Sequence, residues 1–333
     1  MTRSVSSSTA EMLQPIWARL LEGPSITAED NFFARGGNPA IAVELFEEIA
    51  KITGRELPPT VIYQAPTVAS LAALLEQSEP LHSPPLVVLK PGTEPPIFVA
   101  HGIGGTVLEL FQLVDNIDLP NAIYGTQAMG IDGIGKPLET IEGMAKFYLN
   151  AIQQVQPRGP YFLIGHSLGG LVALEMAQQL TGQVEQVALL AMLDSYPHAG
   201  HLPIGPRARL FFSQTVRRAS SILHRRPSPQ RGWTGIYRAP DGASFAPAMC
   251  RVRDKAYTAL KRYRPRFYAG SIKFLRAEVA SSFPSDPVPV WAHLTADLEI
   301  ETVPGNHLEM LTTHFQSAAS ILTRHLQSAL CLQ

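Results

Sequence analysis

The sequence predicts an α/β protein in which a mostly parallel sheet carries helices on both faces, preceded by a small all-helical unit. Three observations predict it. From residue 86 onward, short apolar runs alternate with segments of helical periodicity, the pattern of repeated β-α units. One run, Val187–Leu193, is apolar throughout, as a strand covered on both faces is. Ahead of residue 79 only helical periodicity occurs, and a proline-bearing linker, 79–85, separates the two regions.

The N-terminal unit spans residues 8–78. Leu13, Ile16, Trp17 and Leu20 recur at helical spacing, and Pro24 follows as a stop. A second helix is expected over Ala40–Ile52, with Val43, Phe46 and Ile49 on one face, and a third over Val68–Leu75. In the larger region, 86–330, strands are expected at Leu86–Leu89, Ile97–Ala100, Ala122–Thr126, Tyr161–Gly165, Val187–Leu193, Ile272–Leu275 and Leu298–Val303. Helices are expected at Val107–Val114, Ile141–Gln154, Leu168–Leu180 and Leu308–Leu326. The stretch from about 198 to 256 breaks the alternation and reads as a lid inserted over the sheet.

Composition narrows the class. With 333 residues, 45% hydrophobic and 17% charged, the chain matches an ordinary globular enzyme rather than a disordered chain. The first ten residues are polar, which predicts no signal peptide, and no apolar run reaches bilayer length, so neither a membrane span nor a membrane partner is expected. The two cysteines, Cys250 and Cys331, lack metal-ligand spacing and read as free thiols of a cytoplasmic protein. No metal site is expected. Charge is lopsided: Arg207–Arg266 holds fifteen of the 27 Lys/Arg and two of the 28 acids, so a basic segment sits on an acidic chain. No nucleic-acid-binding motif accompanies it.

The chemistry begins at Gly165-His166-Ser167-Leu168-Gly169, a G-x-S-x-G sequence between an apolar strand and a helix. That context makes a nucleophile elbow, and with it an α/β-hydrolase fold. Ser167 needs a base, since a serine hydroxyl is a weak nucleophile near neutral pH. In this fold the order along the chain is serine, acid, histidine. Asp194 directly follows Val187–Leu193, where the acid belongs. His307 follows the last strand in the loop Pro304-Gly305-Asn306-His307. The remaining histidines lie in the linker, the lid, the elbow, after an early strand or on helices, and fail this test. For an oxyanion hole, the backbone N–H of Leu168 and that of Ile103, in the loop His101-Gly102-Ile103-Gly104-Gly105, are the expected donors, with Gly104 as the fallback.

Five segments in order, His101–Gly105, Tyr124–Gly130, Gly165–Gly170, Leu193–Ser195 and Val303–His307, resemble the terminal (type I) thioesterase domains of nonribosomal peptide and polyketide synthetases. The resemblance covers about residues 86–330. It implies release of an acyl or peptidyl chain from a phosphopantetheine thiol, by hydrolysis or ring closure, in secondary-metabolite biosynthesis. The N-terminal unit is similar to a carrier-protein domain: Asp30-Asn31-Phe32-Phe33-Ala34-Arg35-Gly36-Gly37-Asn38 matches the family's D-x-F-F-x-x-G-G motif and the polar residue after it. The next position is, in that family, the serine that bears phosphopantetheine. Here it is Pro39, which has no hydroxyl. The resemblance therefore implies a carrier-like domain with no cofactor of its own. Its substrate would arrive on another protein's phosphopantetheine, an acylated carrier or synthetase acting in trans, or on CoA. A serine esterase or acyltransferase using another acyl donor, and a non-catalytic carrier-docking protein, are the alternatives.

Overall fold

In the computed structural model, residues 7–21, 25–77, 82–205, 207–208, 245–279, 284 and 286–332 are described. The N-terminal unit holds α1 (Ser7–Leu20), α2 (Pro39–Thr53), a 3-10 turn (Pro59–Tyr63) and α3 (Val68–Leu75). Its core gathers Leu13, Trp17, Phe32, Leu45, Phe46, Ile49, Ile62 and Leu71. On α2, Ala42 and Leu45 are buried beside Phe46 and Ile49, while Val43 is half-exposed, so the buried face is turned from the expected one. Helix α2 is closed at both ends. The Asn38 side chain accepts the N–H groups of Ala40 and Ile41, at 3.0 and 3.2 Å, and Gly54 in the left-handed region ends it.

The larger region forms one seven-stranded sheet in the order β1-β3-β2-β4-β5-β6-β7. The strands are β1 (Leu86–Lys90), β2 (Thr93–Ala100), β3 (Asn121–Thr126), β4 (Tyr161–His166), β5 (Val187–Leu193), β6 (Tyr268–Ala277) and β7 (Thr295–Val303). Only β1 runs antiparallel. Helices α5 (Ile141–Val155), α6 (Leu168–Gly182) and α7 (Phe245–Arg262) cover one face, with Trp291 of the short α8 (Val288–Trp291) buried in the same cluster. Helices α4 (Phe111–Asp115), α9 (Glu309–Thr312) and α10 (Phe315–Leu330) cover the other. Two apolar clusters thus sandwich the sheet, as an α/β fold requires. Among the described residues, no helix is long and apolar enough to cross a membrane.

Several expected boundaries move. The helix expected over Val107–Val114 is a 3-10 turn, Val107–Leu110, continued by α4. The terminal helix is broken at Thr313–His314 into α9 and α10. Of the lid expected from about 198 to 256, residues 206 and 209–244 lie outside the described residues. Its last helix, α7, runs six residues beyond the expected end. Helix α7 buries Ala248, Val252, Ala256 and Ala259, and Lys255 and Arg262 both reach Glu139. Cys250 and Cys331 are free and exposed.

Candidate active site

Sequence forces a strained turn at the end of β4. Ser167 sits at φ 58°, ψ −118°, between the last residue of β4 and the first of α6. A non-glycine residue at positive φ is costly and persists where its surroundings fix it. Here the Ser167 N–H donates to the Leu193 carbonyl at 2.9 Å, which ties the turn to the end of β5. Small neighbours are obligatory. A Cβ on Gly165 would strike the Gly169 backbone, and one on Gly169 would strike the carbonyls of Ala100 and His101. Backbone cannot step aside, so Gly165→Ala and Gly169→Ala will each destabilise the fold by about 1–3 kcal/mol, as overpacking does. Thermal or denaturant unfolding will show it.

Asp194 follows β5 and also has positive φ, 43°. Its N–H donates to Leu275 O at 2.7 Å, and its Oδ1 accepts the Ala277 N–H at 3.3 Å. Its other oxygen, Oδ2, lies 2.8 Å from His307 Nδ1. Both side chains are almost fully buried, at 6% and 4% exposure, so the pair is shielded from competing water. A carboxylate facing Nδ1 assigns the proton to that nitrogen and leaves Nε2 basic. The His307 loop is itself held. Gly305 takes φ +79°, and its carbonyl accepts the Val279 N–H at 2.9 Å. Asn306 Oδ1 accepts the N–H groups of Leu308 and Glu309, at 3.0 and 3.3 Å.

The imidazole of His166, the residue before Ser167, stacks on that of His307 at 4.6 Å with planes 27° apart. His166 Nε2 donates to the His307 carbonyl at 3.2 Å. Burial first, and then the neighbouring His307, holds His166 well below the usual histidine range, so it is a neutral ring. The structure therefore pairs Asp194 with His307 and stacks His166, the residue before Ser167, on the His307 ring, a contact that sequence order alone did not single out.

The loop after β2 adjoins the elbow, since Gly169 packs against the carbonyls of Ala100 and His101. His101 is buried, and that burial pushes it down to about 4, so its ring is neutral. With Nδ1 2.6 Å from the Gly102 carbonyl, which only accepts, that nitrogen carries the proton; Nε2 then accepts from Tyr148 Oη at 2.5 Å. Gly105 N–H donates to Gly102 O at 3.2 Å, and Ala128 N–H to Gly105 O at 2.9 Å. The Glu109 carboxyl accepts the Gly102 N–H, and burial pushes Glu109 up to about 7. Ile103 stands in this loop, and Leu168 opens α6, whose first N–H groups lack intrahelical partners. Those N–H groups and the positive end of the helix dipole favour negative charge beside Ser167. Val252 of α7 faces Gly105, so the inserted helix overlies this loop. Among the described residues, one grouping has metal-donor geometry, Glu299, Glu301 and His325, but Arg324 already pairs with Glu301.

An elbow serine and a buried Asp-His pair on a mostly parallel sheet define an α/β-hydrolase fold. Comparison with known proteins identifies both domains. The thioesterase domain model matches residues 95–208, and the phosphopantetheine attachment site model matches residues 12–75. A carrier-type domain is thus followed by a thioesterase domain. It is 31% identical over 312 residues to malpibaldin synthetase of Mortierella alpina, covering 90% of this chain and 5% of that protein. It is 41% identical over 192 residues to a dimodular nonribosomal peptide synthase of Bacillus subtilis (strain 168), covering 56% and 8% respectively. The chain therefore spans less than a tenth of these two synthetases. Among solved structures, a holo four-domain nonribosomal peptide synthetase bound to AMP and glycine matches 97% of this chain and 26% of its own, with TM-score 0.62 and 20% identity. The NocB thioesterase domain, in covalent complex with a fluorophosphonate nocardicin G analogue, matches 71% and 96%, with TM-score 0.52 and 24% identity. At these identities the two structures show the fold.

The attachment-site match is that of domains carrying phosphopantetheine on their own chain, against the expectation of no cofactor of its own. The residues present do not fit the group. Helix α2 starts at Pro39, and no residue from Gly36 to Ile41 has a hydroxyl. The Ser70 hydroxyl is engaged in the α3 capping box with Thr67, and Thr27 Oγ1 is bonded to Asp30 at 3.0 Å. Proline suits the first turn of a helix, so the helix keeps its shape without the hydroxyl.

Proposed function

We propose that the chain releases acyl or peptidyl groups from thioesters by a Ser-His-Asp mechanism, with Ser167 as nucleophile, His307 as base and Asp194 as its orienting acid. The observation that carries the proposal is the buried Asp194–His307 pair set beside the strained serine turn. Ser167 Oγ attacks the thioester carbonyl while His307 Nε2 takes its proton. Asp194 holds the imidazole by Nδ1 and stabilises the imidazolium. The backbone N–H groups of Leu168 and Ile103 receive the oxyanion. The C–S bond then breaks, and the leaving sulfur takes the proton from His307 and departs as a thiol, which returns the imidazole to its basic form. Water, activated by His307, cleaves the acyl-serine and regenerates the hydroxyl. An amine or hydroxyl of the acyl chain attacking in place of water would release a ring instead.

Delivery is proposed to occur in trans. Pro39 gives the chain's own carrier-type domain no site for phosphopantetheine, so the acyl group is brought by another loaded carrier or synthetase, or by CoA. The basic helix α7, with Arg251, Arg253, Lys255, Lys261 and Arg262, would favour an acidic carrier or the phosphates of CoA. A phosphopantetheinyl transferase with CoA is expected to leave the intact mass unchanged, whereas Pro39→Ser is expected to gain one phosphopantetheine. A gain by the wild-type chain would overturn the proposal. Turnover of an acyl thioester should exceed that of the matched oxygen ester, because a thiol near pKa 8.5 leaves far more easily than an alcohol. Faster cleavage of the oxygen ester would make the chain an esterase.

A further inference from the structure

On the proposed reading the carrier-type domain delivers no acyl group, yet it packs on the hydrolase through an aromatic contact. Phe33, the second phenylalanine of Asp30–Asn38, stacks on Tyr63 of its own domain at 4.8 Å and 30°. The same ring stacks on Phe111 of the hydrolase at 5.4 Å and 24°. The buried Tyr63 hydroxyl is pushed up by desolvation and by Asp115 of α4, so the Tyr63 side of the contact also faces that helix. Phe111 is the first residue of α4 and directly follows the 3-10 turn Val107–Leu110. That turn carries Glu109.

Glu109 is the link to the chemistry. Its carboxyl accepts the N–H of Gly102, the residue before Ile103. A Cβ on Gly102 would collide with the Glu109 carboxyl, so the two are in direct contact. The turn is fixed at its start by Thr106, whose Oγ1 accepts the Leu108 N–H at 3.2 Å. A shift of Phe111 must therefore be passed to Glu109, and from Glu109 to the loop that presents Ile103. Half of a donor pair moved by about an ångström loses much of its effect on an oxyanion.

We infer that the carrier-type domain serves as a fixed brace for the oxyanion loop, acting through Phe33 on Phe111 and through Glu109 on Gly102. Glu109 is then a positioning residue, and the domain has exchanged transport for support. This inference rests on the proposed role of the loop in oxyanion binding. The carboxyl accepts a hydrogen bond whether or not it is protonated, so glutamine at the same place preserves the contact and alanine removes it.

The test uses the full chain and a small thioester, an S-acyl N-acetylcysteamine, which needs no carrier to deliver it. Phe33→Ala, Phe111→Ala and the double variant are expected to lower kcat about tenfold while KM stays within about twofold, the split expected when transition-state contacts are lost. Small-angle scattering should show the N-terminal domain released in the double variant. Glu109→Ala is expected to lose kcat by about tenfold to a hundredfold, and Glu109→Gln to restore it to within about threefold. Should the alanine at 33 unfold its own domain, Phe33→Leu with Phe111→Ala removes the stack and keeps an apolar side chain. Unchanged kcat in the double variant, or equal losses in Glu109→Gln and Glu109→Ala, would overturn the inference. A wild-type chain that turns over no thioester would instead remove the hydrolase reading beneath it.

Discussion

Ser167→Ala will reduce thioester turnover by about 10⁴-fold or more, the scale on which triad nucleophiles act. The loss should fall on kcat, with the fold intact. Alanine is smaller than serine, and the hydrogen bond that holds the turn comes from the main-chain N–H of residue 167 to Leu193 O, not from the hydroxyl. The residual rate would come from the donor loop and from binding. Steady-state kinetics with an acyl thioester, alongside a melting curve matching wild type, checks both halves. A variant that keeps more than about a tenth of wild-type kcat would show that another group performs the attack.

Asp194→Asn should cost about 10³–10⁴-fold in kcat while leaving the geometry in place. The loss comes from the wrong imidazole tautomer. Asp194 Oδ2 accepts the proton of His307 Nδ1, and Oδ1 accepts the Ala277 N–H. Asparagine can satisfy the Ala277 N–H with its carbonyl oxygen, and its NH₂ then faces His307. Two donors cannot meet, so the imidazole shifts its proton to Nε2, the atom that must be basic. Substrate affinity should change little, because Asp194 touches the histidine and the β6 backbone rather than the acyl chain. Stopped-flow or steady-state measurement of kcat and KM separately distinguishes this from a general loss of structure.

The placement of the candidate site was legible because the chain order the fold imposes sets where each proposed residue falls. The apolar run Val187–Leu193 identified a central strand and placed Asp194 at its end. The same holds for Ser167 between strand and helix and for His307 after the last strand. What remained hidden depended on contacts between distant segments. Glu109 reads in sequence as an ordinary polar residue of an amphipathic helix, since nothing local announces that its carboxyl meets Gly102. His166 reads in sequence only as a residue of the elbow, and its stacking on His307 is a tertiary fact.

Fold boundaries failed for similar reasons. Strand β2 begins at Thr93 although Pro95 and Pro96 lie within it; the pairing with β3 shifts register between Thr93 and Ile97, across the prolines, which cannot donate to a ladder. Strand β7 begins at Thr295, ahead of its apolar stretch, because an edge strand tolerates exposed Asp297 and Glu299. The break between α9 and α10 has no proline or glycine to mark it. There His314 turns back, its N–H bonded to Glu309 O at 2.7 Å and its ring beside Gly305. The domain contact through Phe33 was invisible because the motif containing it describes only the domain's own fold.

The central claim is that Ser167 is a nucleophile made reactive by His307. The most direct measurement is covalent trapping with a fluorophosphonate, followed by intact mass and peptide mapping of wild type, Ser167→Ala and His307→Ala. The account predicts one adduct per wild-type chain, on the peptide bearing Ser167, no adduct in Ser167→Ala, and labelling slowed by about 10³-fold in His307→Ala. An adduct on a different residue, an unlabelled wild type, or a His307→Ala chain that labels as fast as wild type would contradict it.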